Sequence, residues 1–355
     1  MAQHGGLRVA VTGVTGNVGT SLVSTLASDD RVGSIIGIAR RAPQQPLPRT
    51  EFRSADVARD DLVPLLTGAD VVVHLAWLFQ PTHRPTVTWE ANVVGSERVF
   101  DAAARAGARA VVYASSVGAY SRGEGDARVD EGWPTHSLPT AGYGREKAYV
   151  ERLLDAFECR HAGIRVVRLR PAFIFKRASA TQQRRLFAGP LVLGSLVASG
   201  KLPVVPFPAG LRFQALHTDD AAEAYRLAVT NEVRGAFNLA AEPVIDAEVA
   251  ARVLRGRPVA VPPSGVRALI SGAWHARAVP ADPALFDLAL GLPLMSSARA
   301  RSELGWAPRV AADDAVAEML RGLGRGEGGP TPPLAPDTVS GRAEEVRTAV
   351  TSTDT

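Results

Sequence analysis

The chain has 355 residues, 46% of them hydrophobic, which is enough for one large domain or for a large domain with a smaller one folded against it. The net charge of +4 is small for this length and no block of like charges occurs, so the sequence gives no support for nucleic-acid or acidic-membrane partners. The single cysteine, Cys159, excludes an internal disulfide, and the seven scattered histidines show no metal-ligand spacing.

The N-terminus, MAQHGGLRVAVTG, has no charged region followed by a long apolar run, and no stretch approaches the ~18 uncharged apolar residues of a membrane span. The expectation is a cytoplasmic protein without a membrane partner. LRVAVTG (7–13) reads as a core strand and Asn17 to about Ser28 as a helix. VGSIIGIA (32–39) is a second strand, DDLVPLL (60–66) a short helix and ADVVVHLAW (69–77) a strand. Residues 86–106 form a long amphipathic helix, ARAVVYASS (108–116) a strand, 141–161 a helix and GIRVVRLRP (163–171) a strand. Near-continuous Val/Ile/Leu strands alternating with helices predict an α/β fold, a Rossmann-type doubly wound parallel sheet. After Pro171 the pattern loosens. QALH (214–217) and GAFNLA (235–240) read as strands and 219–229 as a helix, with short helices over 246–320. The expected organisation is a dinucleotide-binding domain of residues 1–171 plus about 213–240. A smaller, partly helical substrate region would comprise 172–212 and 241–320. The Gly/Pro-rich stretch from 322 to 355 reads as a disordered tail.

Between the first strand and first helix, VTGVTGNVGT places Gly13, Gly16 and Gly19 at GxxGxxG spacing, with Thr15, Asn17 and Val18 between them. A pyrophosphate must approach the backbone closely there, and the helix N-terminus offers N–H groups and positive potential. An acid at the end of the second strand would hold the ribose 2′-hydroxyl of NAD; that position is Ala39, followed by Arg40 and Arg41. A guanidinium pairs with a 2′-phosphate, so the pattern favours NADP over NAD. Asp56 is placed either to meet the adenine amino group or to cap the short helix that follows.

Of the 40 basic residues only three are lysines, and Lys147 stands four residues after Tyr143 on one helix face. A phenol titrates near 10, and an ammonium beside it draws that value down while also reaching a cofactor ribose. The strand before this helix ends in the serine pair Ser115–Ser116, whose hydroxyls can meet a substrate oxygen.

Together these motifs resemble the extended short-chain dehydrogenase/reductases, the NAD-dependent epimerase/dehydratase family, from about Leu7 to Pro308. TGVTGNVG (12–19) is similar to the family's cofactor loop, DV (56–57) to its adenine-contacting pair and HLAW (74–77) to the segment beneath the cofactor. ANVVGSERVFDAA (91–103), SSVGAY (115–120), YGREK (143–147), RLRPAFIF (168–175), LHTDDAAEAY (216–225) and ELGWAP (303–308) resemble its other markers. The resemblance implies Tyr143 as acid/base, Lys147 as its activator and Ser116 as its hydroxyl partner. It places Val57, Leu75, Ala76, Ser115 and Pro171 at the cofactor. Trp77, Phe79, Tyr120 and Trp133 become candidates for the substrate pocket, and Arg212 for a substrate phosphate.

The Asp-Glu pair of the family's 4,6-dehydratases is replaced here by Val117–Gly118, so that dehydration is not expected. The nearby carboxylates of Glu124, Asp126, Asp130 and Glu131 read as solvated. The leading expectation is a NAD(P)-dependent oxidoreductase acting on a small-molecule secondary alcohol or ketone. The alternatives are a sugar-nucleotide epimerase with bound NAD and a non-catalytic NADP-binding redox sensor. The resemblance also implies a homodimer packed through the helices at 86–106 and 141–161.

Overall fold

The computed structural model describes residues 6–80, 82–188 and 203–336. Seven strands form one parallel sheet: β1 (Leu7–Thr12), β2 (Val32–Ala39), β3 (Thr50–Ser54), β4 (Val71–His74), β5 (Ala110–Ala114), β6 (Arg165–Pro171) and β7 (Gly235–Leu239). Their spatial order is β7-β6-β5-β4-β1-β2-β3, and every neighbouring pair is parallel. The order reverses at β1, and ligands of such sheets bind beyond the strand ends at that point.

Alternation along the strands divides the core into two layers. Val9, Val11, Val73, Val112 and Val167 face one side, against α1 (Asn17–Ala27) and the helix Thr218–Thr230. Ala10, Val72, Val111 and Val166 face the other, with Val99, Phe100, Val150 and Leu154 from the helices there. Both faces are covered, which is why the sequence shows apolar runs rather than alternation.

On the second face lie α2 (Val63–Leu66), α3 (Pro85–Trp89), α4 (Gly95–Arg105) and α5 (Gly142–Arg160). A π-helical turn, Glu90–Val94, joins α3 to α4, so the expected long helix is continuous but locally widened. That turn carries Asn92, whose carboxamide bonds the Leu78 backbone at both ends, at 2.7 and 2.8 Å. His74 ties β4 to its surroundings through Thr12 Oγ1 at 2.7 Å and Ser96 Oγ at 2.9 Å. Burial holds its pKa down at about 3, so the imidazole is neutral.

Two features differ from the sequence expectation. β3 is an edge strand of sequence TEFRS, half-exposed and without the apolar run that marked the others. Residues 322–336, expected to be part of a disordered tail, are built into the fold. The helix Ala312–Arg325 ends at Gly326, whose φ of 62° suits a glycine cap. The chain then crosses to the glycine loop, where the Thr331 hydroxyl donates to the Thr15 carbonyl at 2.8 Å. Leu334 is buried behind it. Residues 337–355 of that expectation lie outside the described residues.

Beyond the main sheet, Phe173–Phe175 pairs in parallel with Ala215–His217. Val204–Pro208 pairs with Arg257–Val261, and Arg128–Val129 with Leu294–Met295. The helix Pro283–Gly291 packs close to α5 and closes one side of the cleft. Among the described residues no helix is long and apolar enough to cross a membrane.

Candidate active site

The β1–α1 turn is built around Gly13. Its φ is +73°, and a Cβ there would stand 2.7 Å from the Ala76 backbone nitrogen. Gly16 is the N-cap of α1, which has neither a side-chain cap nor an acidic residue in its first turn. The first N–H groups of that helix are therefore left for an outside acceptor.

Two cavities meet at this turn. One, of about 410 Å³, is lined by Gly13, Gly16, Asn17, Val18 and Gly19 on one side. On the other side stand Ser115, Ser116, Tyr143, Lys147 and Pro171. The second, of about 430 Å³, is lined by Thr15, Arg40, Asp56, Val57 and Ala76. Gly13, Gly16, Leu75, Trp77 and Phe79 border both, so the two form one cleft across the strand ends. Pro332 and Pro333 form part of the wall of the second.

Tyr143 and Lys147 stand one turn apart on α5, facing the first cavity. The tyrosine ring keeps part of its surface open to the cavity, and Phe79 stacks on it at 5.1 Å. Burial pushes the phenol up to about 12, and a hydrogen bond with Ser116 partly offsets this. Lys147 is expected to draw the phenol down, but burial sets the net direction here. The amine is buried and its pKa lies well below the ordinary value through desolvation. Its Nζ donates to the Ala114 carbonyl at 2.6 Å and lies 3.4 Å from the centre of the Trp77 ring.

Ser116 caps the short turn Val117–Ala119, accepting from the Gly118 nitrogen at 3.0 Å. A side chain at Gly118 would meet the tyrosine ring at 2.8 Å. The replacement of the dehydratase pair by Val117–Gly118 is thus matched by packing that leaves no room there. Ser115 turns the other way and donates to Glu151 Oε1 at 2.5 Å.

Several expected residues lie elsewhere. Tyr120 is buried outside both cavities; its hydroxyl donates to Asn238 Oδ1 at 2.7 Å and accepts from Arg170 at 2.9 Å. Arg212 also lies outside both, bonded to the Gly125 carbonyl and paired with Asp126. Sequence adjacency to the strand at 215–217 put it near the site, but its side chain runs to the opposite loop. Trp133 packs against the buried cluster that holds Tyr120 and Val129, without lining either cavity. Of the loop carboxylates read as solvated, Asp126 pairs with Arg212 and Glu131 accepts from the Asn238 nitrogen at 2.8 Å. Asp56 borders the second cavity while its carboxylate caps the Ala58 nitrogen at 3.0 Å.

Other residues escaped the sequence reading. Lys176, another of the three lysines, donates to the Asn17 carbonyl at 2.8 Å and to Thr20 Oγ1 at 2.9 Å, bracing the first turn of α1. Burial brings its pKa down to about 8. Behind Ser115, Glu151 holds Arg170 through both carboxylate oxygens, at 2.9 and 3.0 Å, and Arg168 at 3.4 Å. Lysine scarcity was the only sequence signal for Lys176; carboxylate and arginine spacing along α5 and β6 gave none for this network.

The site fits a dinucleotide on its own evidence. The loop approaches Ala76 too closely for a side chain, the helix start is uncapped, and the buried Trp77 Nε1 has no hydrogen-bond partner among the described residues. The chain is 28% identical over 342 residues to the 3 beta-hydroxysteroid dehydrogenase/Delta 5-->4-isomerase of Mycobacterium tuberculosis, covering 88% of this chain and 89% of that protein. It is 29% identical over 328 residues to the uncharacterized protein Mb0513 of Mycobacterium bovis, covering 89% and 84%. Its fold is similar to that of MoeE5, solved in complex with UDP-glucuronic acid and NAD, with TM-score 0.65, 22% identity and coverage of 90% and 99%. The Thermotoga maritima UDP-glucose 4-epimerase solved with UDP-glucose is similar at TM-score 0.68, 17% identity and the same coverage. Residues 9–240 match the profile of one enzyme family, and the chain belongs to that family, the NAD dependent epimerase/dehydratase family.

Proposed function

We propose that this protein is a NAD(P)-dependent oxidoreductase acting on a secondary alcohol or ketone. The observation that carries the reading is that Ser116, Tyr143 and Lys147 line the same cavity as the Gly13–Gly19 turn. When bound, the nicotinamide supplies or accepts the hydride. Gly13, Gly16 and the start of α1 would hold the pyrophosphate, and Lys147 would reach the ribose. Tyr143 handles the proton on the substrate oxygen, and Ser116 fixes that oxygen by a hydrogen bond. The phenol is protonated at neutral pH, so Tyr143 can give its proton to the substrate oxygen. Positioning of the oxygen between two hydroxyls supplies part of the rate.

The cofactor proposed is NADP. Arg40 and Arg41 border the second cavity, both are exposed, and neither is in an ion pair with a described residue. Ala39 adds no carboxylate to repel a phosphate. A second reading is a sugar-nucleotide epimerase with permanently held NAD, supported by the similar solved structures that contain NAD with UDP-sugars. Mass spectrometry of the ligand released from freshly purified protein separates the two. A site loaded with NADP, or one that exchanges it freely, supports the oxidoreductase; stoichiometric NAD that resists dialysis contradicts it.

A further inference from the structure

We infer that the substrate of this site is an apolar, uncharged alcohol or ketone and that nucleotide sugars are excluded; this rests on the oxidoreductase reading above. The part of the 410 Å³ cavity beyond Tyr143 is walled by Phe79, Phe173, Phe187, Phe286 and Leu288. Phe79 stacks on the Tyr143 ring and takes Phe187 edge-on at 5.6 Å, which extends an apolar surface from the reacting hydroxyl outward. Phe286 and Leu288 approach from the facing helix, Pro283–Gly291.

No arginine, histidine, aspartate or glutamate is among the described residues lining this cavity. Its one cation among the described residues, Lys147, donates to the Ala114 carbonyl, lies over the Trp77 face and is assigned above to the cofactor ribose rather than to the substrate. The arginine placed by sequence to meet a substrate phosphate, Arg212, is held by Gly125 and Asp126. Arg185 lines the other cavity and not this one, and donates to the Pro336 carbonyl at 3.2 Å. A diphosphate brought against these walls would lose its hydration with no cation among the described residues to replace it. A rigid hydrocarbon frame loses nothing of that kind and gains from every ring it covers. The described wall supplies the Ser116 hydroxyl beside Tyr143 and, elsewhere in the lining, the carboxamides of Gln182 and Gln183, which suit an uncharged oxygen function.

The test is calorimetric titration of the NADP-saturated protein with the bicyclic ketone 2-decalone and, separately, with UDP-glucose. The expected result is binding of 2-decalone at least tenfold more tightly than UDP-glucose. Phe286→Asp should weaken 2-decalone at least tenfold while NADP binds as before. Phe173→Asp, at a half-exposed position that tolerates a charge, gives the same readout should the first variant fail to fold. Equal or tighter binding of UDP-glucose overturns the inference, as does failure of 2-decalone to bind. Failure of the wild-type protein to bind NADP or NAD is a different result: it removes the oxidoreductase reading itself.

Discussion

Replacing Arg40 by alanine tests the cofactor end of the cleft without touching the reacting groups. The guanidinium borders the second cavity, is exposed, and has no carboxylate partner among the described residues, so its removal leaves nothing stranded. A hydrogen bond to a charged group contributes about 1.5–3 kcal/mol. Solvent exposure argues for the low end, and about 1.4 kcal/mol is a tenfold change in Kd. NADP should therefore bind Arg40→Ala about tenfold more weakly, while NAD changes by less than about twofold because it carries nothing for the guanidinium to hold. Adding Arg41→Ala should widen the NADP loss towards about a hundredfold. The assay is fluorescence titration of the reduced cofactors at low and high salt. The NADPH advantage should shrink with added salt, since the contact is exposed and screened. Parallel shifts for both cofactors, or a wild-type protein that prefers NADH, would refute the reasoning.

Other outcomes follow from neighbouring parts of the structure. A chain ended after Gly326 loses the Thr331–Thr15 bond and the Pro332–Pro333 wall, and dinucleotide affinity should fall about tenfold, or about 1.4 kcal/mol; unchanged affinity in the same titration would mean the segment does not bear on the site. Gly118→Ala places a methyl 2.8 Å from the Tyr143 ring, so turnover should drop by about 10- to 100-fold with dinucleotide binding retained, read by steady-state kinetics beside titration. Glu151→Gln leaves Arg170 without its buried carboxylate partner, while Arg168 keeps Asp155 and Glu158, and should cost about 3 kcal/mol in denaturant unfolding. The Glu151 carboxyl is offset by burial but held below its ordinary 4.5 by Arg170. Its contribution is thus complete above pH 4.5 and lost as pH falls through the lower folded-state value; the variant should lack that acid-side loss.

The central strands were legible because helices cover both faces of the sheet, which leaves runs such as VVVH and AVVYA with no polar face to show. β3 was not, since an edge strand with half-exposed side chains is polar and short. Tyr143 and Lys147 could be paired from spacing alone because one helix carries both. Spacing could not show that Lys147 is drawn to the Ala114 carbonyl, because β5 is distant in sequence. Tyr120 and Arg212 were misplaced for the same reason: each lies near a marker along the chain, but its side chain is committed to partners on other segments. The glycines and prolines after Gly322 suggested disorder from composition. Their role is a turn that lets Thr331 and Leu334 be buried beside the cofactor loop.

The most direct measurement compares Tyr143→Phe with the wild-type protein. Both are titrated with NADPH, then assayed for oxidation of NADPH with a panel of ketones that includes 2-decalone. The account predicts equal NADPH affinity and turnover lowered by about 10²–10⁴-fold in the variant, the share that a positioned proton donor supplies. Turnover retained in the variant, with NADPH still bound, would contradict it.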